Sequence, residues 1–293
     1  MSMYSLILRY MCFKNDRKRD KGLIISKDLD CFKNIRYGKN RMNKLDVYRP
    51  KAAGKLPVII SVHGGAWVYG SKEVYKHYCA SLAERGFVVI NFSYRLSPRY
   101  KFPCHLEDSV HVVNWMYEHL DEYGIDENAI FAVGDSAGAH ILSQLCSLNN
   151  NKTFAANFNF KLNPKFNPKA IALNCGFYDA SIAKESELDI TNIINDVLQN
   201  KGTPEELELV SSINHIPEGF PPSYIMSSNA DFLQNQAQPM ADKLLSLNIP
   251  HVLRIYGDDN NKLEHVFHLD MRSKFAKQCN DEECEYFRRF IPR

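Results

Sequence analysis

The chain has 293 residues, 45% hydrophobic and 24% charged, an ordinary globular composition that excludes a disordered, collagen-like or fibrous protein. Thirty-six Lys and Arg stand against 34 Asp and Glu, a net charge of +2, so bulk electrostatics give no reason to expect a nucleic acid or an anionic membrane as partner. The length allows two domains or one α/β domain, and either is long enough to bury a core and a substrate pocket.

Residues 1–42 read as a basic, irregular segment, with Lys14, Arg17, Lys18 and Arg19 in one short run. The apolar run Leu6-Ile7-Leu8 is broken by Arg9, too short for a secretory signal. No stretch approaches the ~20 apolar residues of a membrane-spanning helix. The eight cysteines contain no Cys-x-x-Cys pair and are too sparse for a disulfide scaffold. Scattered reduced thiols in a cytoplasmic protein are expected.

From residue 43 a regular rhythm begins. Residues 44–48 alternate like a strand that Pro50 ends, and 58–62 and 87–92 are short β-branched runs bounded by turn residues. Such runs are typical of strands covered on both faces. Leu106, Val110, Val113, Tyr117 and Leu120 form one helical stripe. A strand at 129–133 and a helix at 137–148 follow, then strands at 170–173, 224–226 and 252–256, with helices at 237–247 and 281–290. This alternation predicts an α/β fold with a doubly wound, mostly parallel sheet. Two stretches interrupt it. Residues 149–169 read as a surface loop, and 181–222 as an insertion with helical fragments, either a lid or a structural excursion.

Gly134-Asp135-Ser136-Ala137-Gly138 is the strongest chemical signal. A Gly-x-Ser-x-Gly turn between strand and helix holds its serine exposed, and the glycines admit close backbone approach. The competing reading is a helix N-cap. The helix from Ala137 points its positive end at the serine, which makes the Ala137 N–H a natural donor to an oxyanion. Upstream, His63-Gly64-Gly65-Ala66-Trp67 follows a strand, where exposed backbone N–H groups could meet a reacting carbonyl. His63 is better suited to buttress that loop than to act as a base.

A nucleophilic serine needs a base and a group that orients it. His265, in a polar loop after the last strand, is the candidate base, with His268 its local competitor. Asp231, at the carboxyl end of the 224–226 strand, is the candidate acid. Asp179 lies at another strand end, and Asp258 and Asp259 lie on the histidine's own loop.

Together with Ser93-Tyr94-Arg95-Leu96, Phe102-Pro103 and Glu107-Asp108, these motifs resemble the α/β-hydrolase family, in particular its hormone-sensitive-lipase-like carboxylesterase branch. The resemblance runs from about Leu45 to the C-terminus. It implies an α/β-hydrolase domain over 43–293 with a small helical cap or lid, to which 1–42 and the insertion near 181–222 would contribute. It further implies Ser136 as nucleophile, His265 as base, Asp231 as orienting acid, and the N–H groups of Gly64, Gly65 and Ala137 as the oxyanion hole. Ala66 stands where the family often has a third glycine. Trp67, Tyr69, Asp135, His140 and Tyr178 are candidate pocket walls. The expected activity is hydrolysis of small to medium uncharged carboxylic esters, needing no cofactor and no metal. The alternatives are an amidase of the aryl formamidase type and a non-catalytic small-molecule-binding protein. No nucleic-acid partner is expected, and the oligomeric state is not legible in the sequence.

Overall fold

A computed structural model describes residues 2–51, 54–182 and 190–292. The elements run α1 (Met3–Asp20), β1 (Leu29–Arg36), β2 (Lys44–Pro50), β3 (Leu56–Val62), α2 (Lys72–Glu84), β4 (Val88–Ser93), α3 (Cys104–Glu118), β5 (Ile125–Asp135), α4 (Ala137–Ser147), α5 (Lys152–Ala155), β6 (Ala170–Asn174), α6 (Thr191–Val197), α7 (Pro204–Val210), β7 (Ser223–Ser228), α8 (Ala237–Ser246), β8 (His251–Tyr256) and α9 (Lys274–Arg288).

The described strands form one sheet in the order β1-β2-β4-β3-β5-β6-β7-β8. The β1/β2 and β2/β4 pairs are antiparallel, and every pair from β4 to β8 is parallel. Side chains alternate across the pleat, so Val58, Ile60 and Val62 join one apolar layer while Ile59 joins the other. Val88, Ile90 and Phe92 divide from Val89 in the same way. Residues of α3, α4 and α8 fill the first layer, and residues of α2 and α9 fill the second. Both faces are therefore covered, which is why the inner strands read as mostly apolar runs.

Residues 1–42 depart from the irregular segment expected. They contain an 18-residue helix, capped where Ser2 Oγ accepts the Ser5 N–H, and a strand that pairs with β2 in the same sheet. Residues 149–169 hold the short α5, capped by Asn151. The 181–222 insertion carries α6 and α7, and residues 183–189 of it lie outside the described residues. The N-terminal helix and the insertion meet: Ser2 N, Ser2 Oγ and Ser5 Oγ all donate to Asp196 Oδ2, at 2.6, 2.8 and 2.7 Å.

Candidate active site

The site lies at the carboxyl ends of the parallel strands, where a doubly wound sheet leaves its crevice. β5 ends at Asp135 and α4 begins at Ala137, so Ser136 alone makes the turn. Its φ of 53° and ψ of −120° put a non-glycine residue in strained backbone. The flanking glycines are demanded by contact. A Cβ on Gly138 would come within 2.0 Å of the Val62 carbonyl, and one on Gly134 within 2.5 Å of the Gly138 carbonyl. The Ser136 N–H donates to Asn174 O on the next strand, which anchors the turn to β6.

Asp231 follows β7, and His265 stands on the loop after β8. These loops are pinned together: Ala230 N donates to Leu263 O, and Ser228 Oγ donates to Glu264 O. The pinning holds His265 Nδ1 at 2.6 Å from Asp231 Oδ1. Leu233 N donates to the same carboxylate oxygen and Ser227 Oγ to the other. Burial alone would raise the Asp231 pKa, but these donors and the His265 charge outweigh it and hold the carboxyl at about 2. Asp231 is thus an anion that accepts a hydrogen bond from His265 Nδ1–H, leaving His265 Nε2 for other work. Ser136 Oγ makes no hydrogen bond among the described residues, and in such sites the serine–histidine bond often closes only around substrate.

The competitors have other occupations. Both His268 ring nitrogens are buried without a partner, and burial first, then the His265 charge, drive its pKa down to about 3. Asp179 caps its own turn by accepting from Ser181, and Asp258 does the same with Asn260 and Asn261.

Backbone strain marks the site independently. Ala66, Trp67, Ser136, Cys175 and Val266 all have positive φ, and a β-branched residue such as Val266 is costly there. These residues flank the oxyanion loop, the elbow and the histidine. Cys175 lies behind the pair, its sulfur accepting the Val266 N–H. Burial pushes its thiol pKa well up, so it packs as a small neutral group.

The oxyanion loop requires a correction. Gly64 N–H, expected to be free, donates to the Tyr75 hydroxyl at 2.8 Å, and that hydroxyl donates to Asp135 Oδ2 at 2.6 Å. Gly64 is therefore already satisfied and serves to anchor the loop to the elbow. Gly65 (φ 108°) and Ala66 (φ 50°) turn the chain immediately afterwards, and neither N–H meets a protein acceptor among the described residues. A Cβ at Gly65 would lie 2.3 Å from Tyr69 O. His63 buttresses this loop as expected. Its Nδ1 bonds Gly64 O and its ring stacks on Tyr94 at 4.0 Å.

The expected pocket walls also need revision. Asp135, His140 and Tyr178 are each at most 2% exposed, with their polar atoms bonded to protein. Asp135 holds Tyr75, and burial pushes its carboxyl up to about 6. Trp67 Nε1 donates to His140 Nδ1, and His140 Nε2 donates to Val210 O of α7, which fixes the imidazole tautomer. Tyr178 Oη reaches back to Leu173 O, and Tyr69 Oη donates to Asp16 of α1. These side chains are hydrogen-bonded to the protein around the site, and of the five only Tyr69 is not buried. A cavity of about 730 Å³ lies to one side, lined by Arg9, Arg41, Leu96, Tyr100 and Asn195, and Ser136, Asp231 and His265 are not among its lining residues.

Tyr75, Asn174 and Cys175 were not singled out by the sequence. For Asn174 and Cys175 the signal is register: Asp135 pairs with Asn174, and Asn174 with Met226, so strand alignment alone would have put residue 174 beside the elbow.

Comparison with known proteins identifies the family and the fold. The BD-FAE family model matches residues 45–244. The chain is 30% identical over 237 residues to the probable carboxylic ester hydrolase LipM of Mycobacterium tuberculosis, a match covering 72% of this chain and 51% of LipM. It thus spans about half the length of that relative. The crystal structure of esterase B from Lactobacillus rhamnosis superposes with a TM-score of 0.90 over 98% of this chain and 94% of that one, at 20% identity. The carboxylesterase EstE1, cloned from a metagenomic library, gives 0.79 over all of both chains at 22% identity. The likeness to these two solved structures is one of fold. With an eight-stranded, mostly parallel sheet and an elbow serine at its carboxyl edge, the chain belongs to the BD-FAE family and has the α/β-hydrolase fold.

Proposed function

We propose that this protein is a serine carboxylesterase acting on small to medium uncharged esters. The observation that carries the reading is the strained Ser136 elbow in the same crevice as the Asp231–His265 pair. His265 Nε2 takes the Ser136 Oγ proton as Oγ attacks the ester carbonyl. The tetrahedral oxyanion accepts from the N–H groups of Gly65, Ala66 and Ala137. As the intermediate collapses, the C–OR bond breaks and His265 gives its proton to the departing alcohol. Water, deprotonated by His265, then attacks the acyl-enzyme and releases the acid with Ser136 restored. Asp231 holds the imidazole in the Nδ1–H tautomer and stabilises the imidazolium.

The comparisons support the class of reaction, since LipM is named a probable carboxylic ester hydrolase. The ties from α1 to α6 and from Val210 to His140 support reading α1, α6 and α7 as a cap over the site. The eight cysteines, all free thiols, support a reducing, cytoplasmic setting. No helix of the described residues is long and apolar enough to cross a membrane.

Hydrolysis of p-nitrophenyl esters from acetate to decanoate, run beside formylated aromatic amines, tests the reading. Turnover of the shorter esters is expected to exceed that of the amides. Activity confined to the formylated amines would replace the esterase by an amidase, and inertness towards both classes would leave a binding protein.

The Tyr75 relay gives a second expectation. Tyr75→Phe leaves the Gly64 N–H and the Asp135 carboxylate buried without their shared partner, a cost of ~1–3 kcal/mol for each such group. The melting temperature should fall, and kcat should drop by about tenfold or more as the oxyanion donors lose their anchor. Unchanged kcat would show that the relay does not position the loop.

A further inference from the structure

Helix α1 is built inside out. Its inward face is mostly polar: Leu8 packs against the core and Cys12 is half-buried, but Ser5 is fully buried against Asp196, Arg9 donates to Val68 O and Ser97 O, Asp16 accepts from Tyr69, and Arg19 donates to Val74 O. Its outward face is apolar. Tyr4, Leu6, Ile7, Tyr10, Met11 and Phe13 are each more than half exposed. Of the eleven large hydrophobic residues that the described protein exposes, seven lie on α1, so the apolar surface is concentrated on one element. A soluble helix ordinarily shows the reverse pattern, and a contiguous exposed apolar patch marks a surface that meets an apolar partner.

Charge identifies the partner. Beyond Phe13 the exposed residues include Lys14, Arg17, Lys18 and Lys21, and the Arg17 guanidinium lies 5.5 Å over the Phe13 ring. Asp16 and Asp20, the helix's carboxylates, face inward and are held by Arg19 and Tyr69. The outward face therefore joins aromatic and aliphatic side chains to cations, with no carboxylate among them. Rings and alkyl groups at the depth of the headgroups, with cations beside them for phosphate, are what an interfacial helix requires. The near-neutral total charge conceals this local excess.

We propose that α1 docks the protein on an anionic lipid surface, lying in the plane of the headgroups without crossing the bilayer. The helix adjoins the segments that carry the candidate site. Arg9 bonds Val68, two residues beyond Ala66, and Arg272, seven residues after His265, donates to Arg19 O and Lys21 O. Docking would bring the site to the lipid boundary. The inference concerns binding and stands whether or not the esterase reading holds.

The test is sedimentation of the full chain with vesicles of phosphatidylcholine alone and with one-third phosphatidylglycerol. Binding to the anionic vesicles is expected to be at least tenfold tighter and to weaken with salt. Ile7→Glu/Tyr10→Glu should lower it at least tenfold. Lys14→Glu/Lys18→Glu should lower it on anionic vesicles while leaving the melting temperature unchanged. The substituted side chains are all exposed, and the wild-type comparison of the two vesicles reads the same dependence without any variant. Equal or absent binding to both vesicles would overturn the proposal. So would light scattering that finds a dimer which Ile7→Glu/Tyr10→Glu dissolves, since the face would then belong to a second copy.

Discussion

Ser136→Ala is expected to lower kcat for p-nitrophenyl acetate by about a million-fold, the scale seen when a triad nucleophile is removed, with fold and melting temperature little changed. The change deletes only Oγ, which makes no hydrogen bond among the described residues, so no buried partner is stranded. The Gly65, Ala66 and Ala137 N–H groups survive, and they should leave a residual rate ~10³–10⁴-fold above water. The loss should fall on kcat rather than KM, because the oxygen is needed to form the acyl-enzyme and not to bind the ester. Mass spectrometry after treatment with an alkyl phosphonate should show one adduct on the wild type and none on the variant. Activity within tenfold of wild type, or an unchanged adduct, would move the nucleophile elsewhere. The two readouts fail differently: a lost adduct with retained turnover would indicate a second reaction site.

How far the sequence could carry this assignment depends on how each residue acts. The parallel strands are legible because both faces are buried, so β3, β4 and β6 are mostly apolar, with Ser61, Asn91 and Asn174 among the few polar residues. The elbow is legible because contact with Val62 O and Gly138 O excludes side chains at residues 138 and 134, which leaves a spacing in the sequence. The oxyanion donors were less legible. A glycine pair announces unusual backbone but not which N–H is already taken, and Gly64 is occupied by a tyrosine eleven residues away on another element. Ala66 was set aside as a departure from glycine, yet it adopts φ 50° within the surrounding loop. Helix α1 was illegible for a different reason. An amphipathic helix is read from an apolar stripe turned inward, and here the stripe facing the protein has Leu8 and Cys12 among the polar Ser5, Arg9, Asp16 and Arg19. Its apolar residues and its charges looked like an irregular basic segment because the usual assignment of faces is reversed.

Asp231→Asn should be the second-largest loss, ~10⁴-fold in kcat at neutral pH, and it separates orientation from bulk. The amide keeps the size of the side chain and can still accept from Leu233 N or Ser227 Oγ. It can also present an N–H to His265 Nδ1, which then becomes an acceptor and places the ring proton on Nε2. A histidine in that tautomer cannot take the Ser136 proton, and the imidazolium formed during attack has lost its anion. Stability should respond to pH as well. The wild-type carboxyl is held at about 2 in the folded protein, below its usual value near 4. Its contribution is therefore fully present above pH ~4 and is lost as pH falls through about 2. Removing it should flatten the acid limb of the melting-temperature profile over that window. The corresponding change at a rival, Asp179→Asn, should leave kcat within a few-fold of wild type, because among the described residues the Asp179 carboxylate accepts only from Ser181 of its own turn. If Asp179→Asn abolished turnover and Asp231→Asn did not, the acid would have to be reassigned, and the 2.6 Å contact between Asp231 and His265 would be structural.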